Sequence, residues 1–130
     1  MAKPQRKIPA PPQSPEHVAF WKAAESGKFM VPRCTACGKA HWYPRAICPF
    51  CMSDKVELKE ASGRGKIYTY SVMRRAPEVY AIGYVTLEEG PTMLTNFVDC
   101  DVDALKIGQA VKLVLTPTEG GPPVPTFTLA

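Results

Sequence analysis

Cys34-Thr35-Ala36-Cys37 and, ten residues further on, Cys48-Pro49-Phe50-Cys51 decide how this chain is read. A two-residue gap lets both thiolates of one tight knuckle face a single ion, and ten residues suffice to turn the chain and bring the second knuckle opposite the first. Tetrahedral sulfur coordination of this kind suits a closed, structural Zn²⁺ site. A closed site leaves no position for water or substrate, so the metal explains folding and the function lies elsewhere. Iron in a rubredoxin-like site uses the same four ligands and stays open on sequence grounds, as does redox chemistry at either pair. Two disulfides would need a secretory context, and Met1–Gln13 has basic residues and prolines instead of an apolar core segment. The fifth cysteine, Cys100, stands between Asp99 and Asp101, whose charges disfavour a thiolate; it reads as an inert thiol at a strand end.

Working outward, Lys28–Arg33 reads as a strand entering the first knuckle, with Gly38 where the turn needs a permissive backbone. His41-Trp42-Tyr43-Pro44-Arg45 leads back to the second knuckle, and Val56–Glu60 alternates at period two. Residues 28–61 thus form a rubredoxin-like zinc ribbon, too small to hold a core of its own and expected to unfold without metal. Ahead of it, Ser14-Pro15 reads as a cap and first-turn proline, Val18, Trp21 and Ala24 recur at helical spacing, and Gly27 is a stop. The span 14–27 is therefore a short helix whose Phe20 or Trp21 must dock elsewhere. Residues 1–13 carry four prolines among basic residues and read as an extended arm.

After Ser62-Gly63-Arg64-Gly65, taken as a turn, the chain is strands and little else. Lys66–Arg75, Ala81–Glu88, Met93–Val98 and Ala110–Thr116 are rich in β-branched and aromatic residues. Glu89-Gly90-Pro91 is a hairpin turn, Asp101–Leu105 one helical turn, and Phe127–Leu129 a closing strand. About five non-local strands within residues 62–130 point to a five-stranded OB-fold barrel, with an SH3-like barrel or open sandwich as alternatives. The fold class is mainly β: arm, helix, ribbon, barrel.

Charge is unevenly placed. Residues 1–75 hold 14 Lys and Arg against 5 Asp and Glu, and residues 76–130 hold 2 against 7, so +9 and −5 sum to the net +4. A basic first half attracts phosphate, nucleic acid or an acidic partner, or serves as a plain solvated surface. No stretch approaches the roughly 18 apolar residues of a membrane span, and a soluble, cytoplasmic protein is expected. His17 and His41 are the only residues of the type that could act as neutral-pH bases, both read as surface or packing residues, and no nucleophile–base pair or glycine-rich phosphate loop accompanies them.

The order of these pieces resembles a known family, domain of unknown function thirty-five: acyl-CoA-associated proteins with a zinc ribbon and an OB-fold. The resemblance rests on Phe20-Trp21, Cys34-Thr35-Ala36-Cys37-Gly38, Tyr43-Pro44-Arg45, Cys48-Pro49-Phe50-Cys51, Ser62-Gly63-Arg64-Gly65-Lys66-Ile67-Tyr68, Glu88-Glu89-Gly90-Pro91 and Leu105-Lys106-Ile107-Gly108. It covers about residues 15–127. It implies a non-catalytic companion of a thiolase-fold enzyme, with ribbon and helix clamping the enzyme and the barrel helping to enclose an acyl-CoA. On that reading Arg45, Arg64, Lys66, Arg74 and Arg75 are candidates for CoA phosphates; they equally fit an acidic enzyme surface or solvent. One departure is Met52, which follows Cys51 where the family has glycine and is expected to be harmless on the view that its φ is negative. The rival reading is a single-strand nucleic-acid binder, with Tyr68, Tyr70, Tyr80 and Tyr84 near Arg74 and Arg75; the acidic second half opposes it.

Overall fold

The β-branched and aromatic runs of the second half close on themselves. The computed structural model describes residues 8–12 and 14–130, so most of the basic arm 1–13 lies outside the described residues. Five strands, β3 (Arg64–Met73), β4 (Tyr80–Leu87), β5 (Thr92–Phe97), β6 (Ala110–Thr116) and β7 (Val124–Leu129), form a closed barrel in the order β3-β4-β5-β7-β6. All pairings are antiparallel except β5 with β7, which meet at Phe97 and Phe127 and are joined by Val98 N–H donating to the Phe127 carbonyl at 2.9 Å. Closure is what distinguishes an OB-type barrel from an open sandwich, and it removes the sheet edges that invite aggregation.

Period-two alternation directs Ile67, Ala81, Val85, Met93, Val111 and Phe127 into the barrel. Threonines that fall inward are bonded: Thr126 Oγ1 donates to the Val114 carbonyl at 2.6 Å, and Thr95 Oγ1 to that of Pro125 at 3.1 Å. Two glycines sit inside strands because neighbouring backbone passes too close for a side chain. A Cβ on Gly65 would lie 2.6 Å from a Val85 methyl, and one on Gly83 would collide with the Thr69 carbonyl oxygen. The expected turn at 62–65 is correspondingly shorter: Gly63 turns with φ of +78°, while Arg64 and Gly65 already belong to β3.

The ribbon is a two-stranded antiparallel sheet, β1 (Met30–Cys34) and β2 (Val56–Glu60), in register from Met30 opposite Glu60 to Cys34 opposite Val56. The helix comprises a 3₁₀ turn, Pro15–His17, continuing into α1, Val18–Glu25. Ser14 makes no side-chain cap; its carbonyl accepts from His17 N–H at 2.9 Å, because Pro15 fixes the first turn without help. The helix ends at Gly27, whose φ of +83° lets Lys28 N–H return to the Ala23 carbonyl.

The ribbon does not stand alone. Phe20, 2% exposed, meets the edges of Trp21, Phe29 and Trp42, and Phe29 in turn packs edge-on to Phe127 of β7 with ring centroids 6.4 Å apart. Phe29 and Val31 of the ribbon therefore belong to the same hydrophobic core as Ile67, Val85 and Phe127 of the barrel. The expectation of a ribbon without a core is amended accordingly: its root is packed, and its knuckles alone lack apolar support.

Candidate metal centre

Both knuckles are built by one local pattern. The carbonyl of the first cysteine of each pair accepts from the N–H four residues on: Cys34 from Gly38 at 2.9 Å, Cys48 from Met52 at 3.0 Å. Each of those following residues has positive φ, +79° at Gly38 and +65° at Met52. The expectation that Met52 keeps a negative φ is thus wrong, since the turn that aims both thiols at one point imposes the left-handed conformation at its end whatever residue stands there. Cys34 N–H donates to the Lys39 carbonyl at 3.0 Å and Cys48 N–H to that of Ser53 at 2.8 Å, tying each knuckle to its own loop.

The four sulfurs converge. All lie within 4.8 Å of one another, with Cys34 Sγ 3.6 Å from Cys51 Sγ and Cys37 Sγ 3.7 Å from Cys48 Sγ. Sulfurs placed tetrahedrally about 2.3 Å from one ion stand about 3.8 Å apart, so the spacing fits Zn²⁺. Disulfide sulfurs bond at about 2.05 Å, and all five cysteines are free thiols. The short contacts run between knuckles, as a shared ion requires.

Backbone donors prepare the cage for negative charge. Cys34 is lowered to about 7 by the Cys37 and Ala36 N–H groups against the opposing effect of burial. At Cys48 burial pushes upward, but the Cys51 and Phe50 N–H groups outweigh it and the net direction is down; the Phe50 N–H lies 3.4 Å from Cys48 Sγ. Cys51 receives the Ser53 N–H, yet burial and the facing thiols push it up to about 11, since adjacent thiolates repel without a cation between them. A divalent ion removes that conflict and holds all four as thiolates.

His41 is not a fifth ligand. It is 2% exposed, its N–H donates to the Pro32 carbonyl at 3.0 Å, and its ring packs as a buried neutral imidazole. His17 lies half-buried in the first turn of the helix. Cys100 is partly buried and its thiol is pushed up by burial and by Asp99 and Asp101, which matches an inert thiol beyond β5.

The predicted basic residues fall at separate places. Arg64 and Lys66 open β3, and Arg64 pairs with Glu88 at 3.2 Å. Arg74 and Arg75 follow its far end, about 30 Å away along a ten-residue strand. There they line a groove with Val72, Met73 and Tyr80, and Arg74 pairs with Asp103 at 2.6 Å. Arg45 is exposed on the ribbon beside His41.

Two features escaped the sequence reading. Ile47, Phe50 and Met52 are 42%, 58% and 75% exposed around the second knuckle, an apolar cap on the ribbon. Their only sequence signal was the absence of alternation in a loop. The other is a cleft of about 250 Å³ where arm, helix, ribbon and barrel meet, walled by Pro9, Pro11, Trp21, Trp42, Tyr43 and Leu94. The Trp42–Tyr43 peptide on its wall is cis.

Known family profiles match the chain in two adjoining parts, whose boundary falls within β2. Residues 21–57 match the family profile described as "ChsH2, rubredoxin-like zinc ribbon domain", and residues 58–116 that described as "ChsH2, C-terminal OB-fold domain". The chain is 36% identical over 89 residues to a DUF35 domain-containing scaffold protein of Methanothermobacter thermautotrophicus, covering 63% of this chain and 67% of that protein. A second such scaffold protein, of Methanocaldococcus jannaschii, is 40% identical over 90 residues, 63% of each chain. A "Probable enoyl-CoA hydratase alpha subunit" of Thermomonospora curvata is 31% identical over 116 residues, 85% of this chain; the present chain spans only 36% of that protein's length. Among solved structures, a chain of an Ltp2-ChsH2(DUF35) aldolase superposes with a TM-score of 0.82 at 28% identity, covering 92% of this chain and 98% of that one. A DUF35 protein of Sulfolobus solfataricus shares the fold, with a TM-score of 0.66 at 15% identity over 91% of this chain and 87% of that one. With ribbon, barrel and scaffold relatives all in agreement, this chain belongs to the DUF35 family of ChsH2-type zinc-ribbon and OB-fold proteins.

Proposed function

We propose that the chain is a non-catalytic accessory subunit that binds a thiolase-fold enzyme and helps to form or stabilise that enzyme's acyl-CoA site, with zinc as a structural ion. The observation that carries this reading is the likeness, over nearly the full length of both chains, to a protein of the Ltp2-ChsH2(DUF35) aldolase. The thiolase fold of the partner is what the family resemblance implies. Two features of the chain support it. Four thiolates complete the coordination of a tetrahedral ion, leaving it no place for substrate. The ribbon also carries Ile47, Phe50 and Met52 outward, where no core requires them. Apolar side chains grouped at the tip of a small domain are characteristic of a surface that another protein covers.

Acyl-CoA belongs to this reading as a ligand shared with the enzyme. Arg75, beside Arg74 and Tyr80 in the groove beyond β3, is the basic residue we assign first to its phosphates. Arg64 and Lys66 stand at the opposite end of β3 from that groove, so we assign them, with Arg45 on the ribbon, to the enzyme surface.

One observation favours a second reading: Tyr68, Tyr70 and Tyr84 are exposed on neighbouring strands of the barrel, as base-stacking would need. Recovery of partners with the tagged full chain at native expression separates the two. The accessory reading expects a thiolase-fold enzyme, identified by mass spectrometry, with recovery falling about tenfold for Ile47→Ser with Phe50→Ser at an unchanged melting temperature. Retention of single-stranded nucleic acid without such an enzyme would reverse the order.

A further inference from the structure

The barrel closes on itself, but the ribbon does not: among the described residues, β2 pairs with β1 on one side and with no strand on the other. Thr35 N–H donates to the Lys55 carbonyl and Ala61 N–H to that of Phe29, both at 2.8 Å. Those bonds flank an unbroken register and fix its alternation. Glu57 and Lys59 turn their backbone groups to β1, while Val56, Leu58 and Glu60 turn theirs away. No backbone group among the described residues receives the outward ones.

The side chains of this edge bear on what can pair with it. An edge guarded by charges of one sign repels a second copy of itself. β2 instead carries both signs, in the order Val56-Glu57-Leu58-Lys59-Glu60. Glu57 and Lys59 share one face, 3.3 Å apart, with side chains 58% and 60% exposed. Leu58, on the other face, packs on the core with only part of its surface.

We propose that the β2 edge is a self-association surface, joining two copies of this chain antiparallel about a two-fold axis that passes between their Leu58 residues. In that register Leu58 faces the second copy's Leu58, and Val56 faces its Glu60. These are the residues whose backbone groups point outward, so each pair exchanges both its N–H···O=C bonds. Glu57 faces the second copy's Lys59, and Lys59 its Glu57, as the close, non-hydrogen-bonded pairs of the ladder. The neighbouring registers that keep the backbone alternation fail on charge. An axis at Glu57 sets Glu57 against Glu57 and Lys55 against Lys59, and an axis at Lys59 sets Lys59 against Lys59. Backbone direction and charge thus select the same pairing, and the strand that satisfies both is β2 itself. A five-residue edge buries little area, so the dimer is weak and concentration-dependent. Nothing in this pairing depends on the accessory-subunit reading.

Sedimentation velocity on the zinc-loaded full chain, from micromolar to millimolar concentration, should show a reversible equilibrium of monomer and dimer. Glu57→Lys and Lys59→Glu each place like charges opposite one another across the axis. Each should weaken the dimer about tenfold, with zinc content and melting temperature unchanged. An equimolar mixture of the two variants restores opposite charges on both sides of the axis and should pair about as tightly as the parent chain. Amide exchange should slow with rising concentration at Leu58 and not at Lys59, which already turns to β1. A chain that stays monomeric at millimolar concentration would overturn the proposal. So would a dimer that both variants leave as strong as before, or a mixture of the variants that fails to pair.

Discussion

Met52 holds in the second knuckle the place that Gly38 holds in the first. Both donate their N–H to the carbonyl of the leading cysteine, and both have φ in the left-handed region, +65° and +79°. The two-fold likeness of the knuckles is therefore one of backbone, and the sequence honours it only on one side. A side chain at positive φ crowds the following carbonyl, which costs roughly 1–2 kcal/mol for an L-residue other than Asn or Asp. Met52 is 75% exposed, so its side chain recovers nothing by packing against its own chain.

Met52→Gly should therefore stabilise the metal-loaded protein, by about 1 kcal/mol once the added freedom of glycine in the unfolded chain is subtracted. Gly38→Ala should destabilise it by a similar amount. Denaturant midpoints at fixed zinc, with unchanged slope, measure both. A destabilising Met52→Gly would mean that the methionine side chain contributes to folding in some way the backbone geometry does not show.

Much of this architecture was legible in the sequence because its signals are local. Paired cysteines fix a knuckle by spacing, Pro15 and Gly27 bracket a helix, and β-branched runs mark β3 to β6. The start of β3 was not legible, because Gly65 looks like a break; only the approach of Val85 and Thr86 shows why a strand needs glycine there. The ribbon's packing was hidden for a related reason. Nothing near Phe29 in sequence announces Phe127, and their edge-on contact is what joins ribbon and barrel into one core. The metal site was read from residue type and spacing within 18 residues of chain, whereas the cleft needs Trp21, Trp42 and Leu94 brought together from three elements.

His41 gives the fold a dependence on pH that is separable from the metal. Burial, and next the charge of Arg45, hold its imidazole below the ordinary histidine value of about 6.5. The unfolded chain takes up a proton as pH falls through that value while the folded chain does not. The contribution of neutral His41 is thus fully present above about pH 6.5 and is lost as pH falls towards its lower folded value. His41→Leu, which removes two buried nitrogens lacking partners among the described residues, should flatten the loss of stability between about pH 7 and pH 5. What slope remains belongs to the other groups whose proton binding differs between the folded and unfolded chain, the cage thiolates among them. Parallel curves for the two proteins would show that His41 does not titrate on unfolding.

Removing half the cage should separate the tip of the ribbon from its root. Cys34→Ser with Cys37→Ser leaves two thiolates, too few to hold zinc, and one metal per chain should be lost by elemental analysis. Small zinc peptides draw about 10–16 kcal/mol from their ion, far more than the exposed knuckle loops, residues 35–39 and 49–52, can replace. The root is different, because Phe29 and Val31 pack into the barrel core independently of the metal. Amide exchange should consequently become fast across the knuckles, while Ile67, Val85 and Phe127 stay protected and the far-ultraviolet signal of the barrel persists. If the chain is the accessory subunit proposed above, the same variant should also fail to recover its enzyme, since Ile47, Phe50 and Met52 are displayed by the second knuckle. If knuckle amides remain protected after the metal is gone, the cage is not what orders them, and the partner surface has to be sought on the barrel.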